Sequence, residues 1–174
     1  MDPLNGKRVC ILVADMYNDF EFWIPYYRMK EAGAEVVVAG PEAGATYTGK
    51  AGLPAKADKA FGQVNAASLD GLIIPGGYAP DLIRRDADAL ELVRAVDEAG
   101  KTLAFICHAG WVPISAGVVK GRTLTSFTAI KDDLVNAGAN WQDAEVVEDG
   151  NFVTSRTPDD LPAFNKAVID NIAG

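Results

Sequence analysis

The chain has 174 residues, of which 49% are hydrophobic and 23% charged, a composition that predicts one globular domain with a sizeable core. Its net charge of −8 argues against nucleic acid or an anionic membrane as a partner, and no apolar run approaches the roughly 18 residues that a membrane span needs. Two cysteines, one histidine and no cluster with metal-ligand spacing argue against a disulfide framework and against a zinc site.

The first part of the chain predicts a strand–helix–strand unit. Residues 8–14 form a short apolar run typical of a strand buried on both faces. A polar break follows at 15–19, then a helix from about 20 to 32, and a second strand at 35–39. This spacing predicts a βαβ unit with a right-handed crossover. Residues 40–65, rich in Gly, Ala and Lys, are interpreted as short strands or a hairpin.

The rest of the chain continues the alternation. A strand at 71–74 stops at Pro75-Gly76-Gly77, and a strand at 102–106 runs directly into Cys107. The other predicted elements are helices at 86–99, from 107 to 116, at 130–136 and at 158–172, a strand at 123–126, and a hairpin of 145–148 with 151–154 turning at Asp149-Gly150. The pattern predicts a single α/β domain over 1–174, with a doubly wound, flavodoxin-like, mostly parallel sheet between helices and a small C-terminal hairpin.

Cys107 is the leading candidate for a nucleophile. It lies where a buried strand turns into a helix, as in a nucleophile elbow, which projects a reactive atom from the top of the sheet. The start of a helix favours a thiolate, so we expect a lowered pKa for this thiol. The alternative is a buried structural cysteine, the interpretation we favour for Cys10 in the middle of its strand.

Other residues at the same sheet edge are candidates for supporting roles. Gly76 and Gly77 allow backbone amides to approach a ligand and to hold an oxyanion, although Gly-Gly also forms ordinary turns. Glu21 is an acid among aromatic residues, where its pKa is expected to rise, or a simple carboxylate at a helix start. His108 is a general base or only a helix-start residue, and adjacent side chains diverge, so its contact with Cys107 is left open.

Separated motifs extend this pattern along nearly the whole chain. They are Glu21 four residues before Pro25, Pro75-Gly76-Gly77, Ala79-Pro80-Asp81, Ile106-Cys107-His108, residues 130–138, residues 143–147 and Thr154-Ser155-Arg156. Together they resemble the ThiJ/PfpI family of the class I glutamine amidotransferase-like superfamily. The branch resembled most is the intracellular protease I group, which also contains proteins described as glyoxalase III or protein deglycases.

The resemblance implies roles for individual residues. Cys107 would be the nucleophile, and Glu21 a protonated acid in contact with it. His108 would pair with an acid from a neighbouring subunit at the position of Asp81, which implies a homo-oligomer, a dimer or higher. Gly77 and the amide of His108 would hold an oxyanion.

The chain also departs from the family pattern. Asp81 stands where the protease branch has Glu, and Phe105 stands two residues before the nucleophile, where a small residue is usual. Ala109-Gly110-Trp111 replaces Gly-Pro-x and brings Trp111 to the predicted pocket, which Tyr78 also borders. Phe127 replaces a common Tyr and removes a hydroxyl donor. These departures weaken the protease interpretation.

Three hypotheses follow. The first is a stress-protective enzyme that uses no cofactor and acts on small reactive aldehydes such as methylglyoxal, or on their glycated adducts, through a Cys107 hemithioacetal. The second is an intracellular peptidase with Cys107, His108 and an Asp81 from another subunit. The third is a redox-sensing or chaperone-like protein without catalysis. The N-terminal segment lacks the apolar core of a secretory signal, which predicts a cytoplasmic location.

Overall fold

A seven-stranded sheet forms the centre of the molecule in a computed structural model that describes residues 2–174. The strands of the chain are β1 (Arg8–Leu12), β2 (Glu35–Gly40), β3 (Thr46–Thr48), β4 (Pro54–Lys56), β5 (Lys59–Ala60), β6 (Gly71–Ile74), β7 (Thr102–Ile106), β8 (Thr123–Leu124), β9 (Asn140–Trp141), β10 (Val147–Asp149) and β11 (Phe152–Ser155). The central strands are apolar and buried on both faces, as expected for a parallel sheet covered by helices.

The order of strands in this sheet creates a crevice at its centre. The order is β10-β11-β7-β6-β1-β2-β5, and every pairing is parallel except that of β10 with β11. The chain builds outward from β1 through β2 to β5 and then returns to place β6 on the other side of β1. Ligands of open α/β sheets bind at such a reversal, outside the carboxyl ends of the strands. The predicted doubly wound fold is confirmed.

Helices cover both faces of the sheet. They are α1 (Asp19–Glu31), α2 (Ala79–Ile83), α3 (Ala87–Glu98), α4 (Trp111–Ala116), α5 (Lys131–Asn136) and α6 (Leu161–Ala173). Helix α1 packs on α6, β1 and β2, whereas α3 packs on α4, β6 and β7. Among the described residues, no helix is long and apolar enough to cross a membrane.

Several predicted boundaries differ from the structure. The C-terminal hairpin joins the main sheet through β11 and β7, and its two turn residues are Gly150 and Asn151, not Asp149 and Gly150. Gly150 has a φ of +59°, and a glycine at the first position of a two-residue turn is what a type II′ turn requires. The predicted strand at 123–126 is limited to β8, which pairs with β9. Helix α2 was not predicted, because its five residues are too few to show a helical period.

The predicted hairpin within 40–65 is present as β3 and β4. Helix α1 begins at Asp19, one residue earlier than predicted, because the side chain of Asn18 accepts hydrogen bonds from the N–H groups of Phe20 and Glu21. Pro25 therefore lies inside the helix, in its second turn, and not at its start.

Candidate active site

Loops after β1, β6 and β7 meet at the carboxyl edge of the sheet and border a cleft of about 550 Å³. Eleven of the residues that the structure describes line the cleft: Met16, Asn18, Lys50, Gly77, Tyr78, Cys107, His108, Trp111, Phe127, Thr157 and Pro158. The predicted pocket residues Tyr78, Trp111 and Phe127 are among them. The cleft therefore coincides with the reversal of strand order, where the sequence placed the site.

Cys107 has the backbone conformation of a nucleophile elbow. Its φ is +63°, in the left-handed region that residues with a side chain rarely adopt, and it follows directly on β7. The neighbouring strand end makes room through Gly76, where an added Cβ would lie 2.7 Å from the Cβ of Cys107. A strained cysteine that lines a cleft is typical of a functional residue more than of a structural one.

The environment of the thiol contradicts the prediction of a lowered pKa. Burial, first, and the negative charge of Glu21, second, raise the pKa of Cys107 to about 12, whereas N–H groups of His108 and Gly77 that hydrogen-bond to the thiol act in the opposite direction. The segment that follows is a four-residue 3₁₀ turn, Cys107–Gly110, and not a long helix, so its dipole contributes little. The thiol is 9% exposed, and desolvation dominates.

Glu21 lies beside this thiol, where a negative charge on its carboxyl would repel a thiolate. It is in the first turn of α1 and completely buried, and its Oε2 accepts the N–H of Gly76 at 2.8 Å. Burial raises the pKa of Glu21 to about 8, and the hydrogen bonds from Gly76 and Cys107 oppose that rise. The structure therefore favours the predicted protonated acid over a simple helix-start carboxylate.

The proton on Glu21 changes what Cys107 experiences. The other carboxyl oxygen, Oε1, is buried and lacks a conventional hydrogen-bond partner, which is costly for a charged carboxylate. Burial is the larger cause of the raised pKa of the thiol and remains when Glu21 is neutral, but the repulsion by Glu21 is then removed. The O–H of a neutral Glu21 can also donate to a thiolate. A neutral Glu21 thus favours a negative charge on sulfur more than an ionised Glu21 does.

His108 contacts the thiol directly, which resolves the question left open by the sequence. Its Nδ1 lies 3.3 Å from Sγ of Cys107. The ring stacks on Phe127 with centroids 5.0 Å apart and meets the edge of Trp111 at 5.2 Å, so two aromatic side chains fix its orientation. Burial, first, and the charge of Lys50, second, lower the pKa of His108, which favours a neutral imidazole that can accept a proton.

The two glycines after β6 have different roles in the structure. Gly77 has a φ of +81°, and a Cβ there would lie 2.4 Å from the backbone nitrogen of Asn18, so a larger residue does not fit. The N–H groups of Gly77 and His108 converge on the sulfur of Cys107. The N–H of Gly76 is already donated to Glu21, so within this geometry it positions the acid.

Asp81 is not joined to His108 within one chain. It lies on α2, where its Oδ2 accepts a hydrogen bond from Arg85 at 2.8 Å. An Asp81–His108 pair would require a second copy of the chain. The triad completed across subunits stays a prediction.

Five residues that line the cleft were not predicted from the sequence: Met16, Asn18, Lys50, Thr157 and Pro158. Asn18 had a usable signal, since an Asn just before an apolar helix is a typical N-cap. Lys50 had a weaker one, a lysine between glycines in Gly49-Lys50-Ala51-Gly52. Met16 has a φ of +63°, a conformation that nothing in its residue type predicts.

A model of the DJ-1/PfpI family matches residues 7–171. The chain belongs to the DJ-1/PfpI family. The match spans every element from β1 into α6, so the loops around Cys107 and Glu21 all lie within it.

Relatives in this family carry two kinds of name. A deglycase of Pyrococcus abyssi is 47% identical over 162 residues, covering 93% of this chain and 97% of the relative. The protein YraA of Bacillus subtilis, whose name assigns it provisionally to the cysteine proteases, is 46% identical over 92% of this chain and 95% of its own. Protein/nucleic acid deglycase 2 of Escherichia coli is 41% identical over 94% and 96%, respectively.

Solved structures of the DJ-1/PfpI family share the fold. A two-domain protein from Anabaena variabilis, with DJ-1/ThiJ/PfpI-like and ferritin-like domains, superposes with a TM-score of 0.94 at 40% identity; the match covers 95% of this chain and 48% of that protein. The Drosophila melanogaster DJ-1beta structure gives 0.90 at 29% identity, with 97% and 91% covered.

Proposed function

We propose that this DJ-1/PfpI family member is a cysteine-dependent enzyme that acts on small reactive aldehydes, or on their early adducts with amines and thiols, as a stress-protective activity. The observation that carries the proposal is the contact of a strained Cys107 with a buried acid, Glu21, whose pKa is raised to about 8. A neutral acid beside a thiol suits addition to a carbonyl, because the acid stabilises the thiolate without competing for the carbonyl carbon. The deglycase names of several relatives agree with this class of substrate.

The reaction proceeds through a covalent adduct at sulfur. The thiolate of Cys107 adds to the aldehyde carbon, and the electron pair of the C=O bond moves to oxygen, which takes up a proton to give a hemithioacetal. N–H groups of Gly77 and His108, which point at the sulfur, are placed to stabilise the developing oxyanion.

For a 2-oxoaldehyde the adduct then rearranges. The neutral His108 removes the proton from the former aldehyde carbon, and the neighbouring ketone carbon is protonated, so that the first carbon is oxidised to a thioester as the second is reduced to an alcohol. Water hydrolyses the thioester, releasing a 2-hydroxy acid and the thiol. The net change is addition of one water, with no external oxidant or reductant.

The test compares purified wild-type protein with Cys107→Ser and with Cys10→Ser, a matched control because Cys10 is buried in β1. Methylglyoxal is supplied and lactate is followed, and in parallel the recovery of free peptide from a methylglyoxal-treated peptide is measured. We expect both activities to be abolished by Cys107→Ser and retained by Cys10→Ser. Lactate formation that survives Cys107→Ser would refute the mechanism.

The same experiment distinguishes the proposed function from the peptidase and from the redox sensor. Cleavage of unstructured casein that is lost in both Cys107→Ser and Asp81→Ala, with an oligomer in solution, would establish the peptidase instead. Addition of two oxygens at Cys107 by peroxide, with neither reaction observed, would favour a redox sensor. The Escherichia coli relative's name includes nucleic acid, which departs from the expectation drawn from the net charge, so a glycated oligonucleotide is included as a substrate.

A further inference from the structure

Lys50 is the one lining residue, among the eleven that the structure describes, with a full positive charge at neutral pH. It shares the cleft with Cys107 and His108, and its charge reaches both His108 and the buried Glu21. Most of the other lining side chains are apolar or aromatic, among them Met16. Neither the proposed reaction nor the architecture of the elbow uses this charge.

Buried groups hold the turn that carries Lys50. Both carboxylate oxygens of Asp19, which is 5% exposed, accept N–H groups of the turn: Oδ2 from Ala51 at 2.7 Å and Oδ1 from Leu53 at 3.0 Å. The N–H of Lys50 itself donates to the carbonyl of Tyr17 at 2.9 Å. The backbone of Lys50 is thus tied to the loop that follows β1, and its side chain, which is exposed, lines the cleft from there.

Lys50 forms no salt bridge with a carboxylate in the described part of the chain, where the ion pairs involve Lys7 and arginine side chains. Glu21, the acid that it influences, lies fully buried. A cation kept at a largely apolar cleft without an acidic partner attracts an anion, and this is notable in a chain with a net charge of −8.

We infer that Lys50 binds a carboxylate of the substrate, so that the cleft favours 2-oxoaldehydes that also carry a carboxylate on the carbon chain beyond the ketone. A phosphate is disfavoured, because phosphate sites usually combine several N–H donors or several cations. Here a single lysine is the one strong cationic donor among the lining residues. This inference rests on the proposed function for the reaction at Cys107, but its charge selectivity is measurable without turnover.

The experiment uses two alkylating reagents that differ mainly in charge. Iodoacetate and iodoacetamide modify the same thiol, so the ratio of their rates at Cys107 reports the local charge and cancels any change in the thiol's own reactivity. We expect Lys50→Met to lower the iodoacetate-to-iodoacetamide ratio about 5- to 10-fold, which is the effect expected for one exposed unit charge whose attraction is screened by water. Lys50→Arg restores the ratio, and Lys56→Met, a matched exposed lysine on β4, leaves it unchanged.

If the iodoacetate-to-iodoacetamide ratio is unchanged in Lys50→Met, including when the rates with both reagents fall equally, the inference is wrong. The second arm measures kcat/KM for 4,5-dioxopentanoate, a 2-oxoaldehyde that carries a carboxylate, and for neutral methylglyoxal, and Lys50→Met is expected to reduce the first selectively. If Lys50→Met reduces kcat/KM equally for both compounds, Lys50 does not select the substrate. If wild-type protein turns over neither compound, the proposed function fails, and the alkylation ratio alone decides whether Lys50 recognises anions.

Discussion

The protonation of Glu21 makes the stability of the protein depend on pH in a defined direction. Its carboxyl is fully buried, and desolvation raises its pKa from 4.5 to about 8. Between these two values the folded protein holds a proton that the unfolded chain releases. The stability associated with this proton is therefore complete below about pH 4.5 and is lost as the pH rises through about 8.

The size of the effect follows from the two pKa values. The interval from 4.5 to about 8 corresponds to about 5 kcal/mol in total. Linkage places most of this loss, about 3–4 kcal/mol, between pH 5 and pH 8. Above pH 9 the contribution is constant, because Glu21 is then ionised in both states.

The measurement is the free energy of unfolding in urea from pH 5 to pH 9 for wild type and Glu21→Gln. We expect the wild-type free energy of unfolding to fall relative to that of the variant by about 3–4 kcal/mol between pH 5 and pH 8. Glu31→Gln, at the exposed end of the same helix, is the control and should follow wild type. Repeating the pair in a Cys107→Ser background removes the second titrating group. A flat difference between pH 5 and pH 8 would mean that Glu21 is ionised in the folded protein, and the argument for a neutral acid would be wrong.

Two further substitutions test the construction of the site. Gly76→Ala places a Cβ 2.5 Å from Oε2 of Glu21 and 2.7 Å from the Cβ of Cys107, and we expect urea unfolding to show a loss of about 1–3 kcal/mol together with slower alkylation of Cys107 by iodoacetamide. Wild-type stability and alkylation would contradict this crowding. Asp19→Ala removes both acceptors of the Lys50 turn and should cost about 1–3 kcal/mol, with hydrogen exchange showing lost protection at the amides of Ala51 and Leu53. Retained protection at both amides would show that the turn does not depend on Asp19.

The order of elements was predictable because a strand buried on both faces appears in the sequence as a short run of apolar residues. Strands β1, β6 and β7 are short apolar runs that end in polar or glycine-rich breaks. The two-residue turn at Gly150 was misplaced by one position, since Asp149-Gly150 and Gly150-Asn151 both suit a hairpin and only the pairing of Asp149 with Phe152 distinguishes them. Helix α2 was not predicted, because its five residues are too few to show a helical period.

The candidate site was predictable where chemistry and strand ends coincide. Cys107 follows a buried strand directly and Gly77 lies three residues after another, and parallel strands bring their carboxyl ends together. Lys50 could not be located in this way, because it lies on a turn after the β3 strand. That turn is held at the cleft by the hydrogen bonds of Ala51 to Asp19 and of Lys50 to Tyr17.

Local sequence was enough to predict the groups at the centre of the site: a cysteine after a strand, an acid in the first turn of a helix, and glycines after a neighbouring strand. Tertiary structure alone decided the ionisation of the cysteine. The pKa of Cys107 was expected to fall and is raised, because desolvation and the proximity of Glu21 outweigh a short 3₁₀ turn. Charge in a protein depends on how much water the fold removes and which groups it brings together, and neither quantity is written in local sequence.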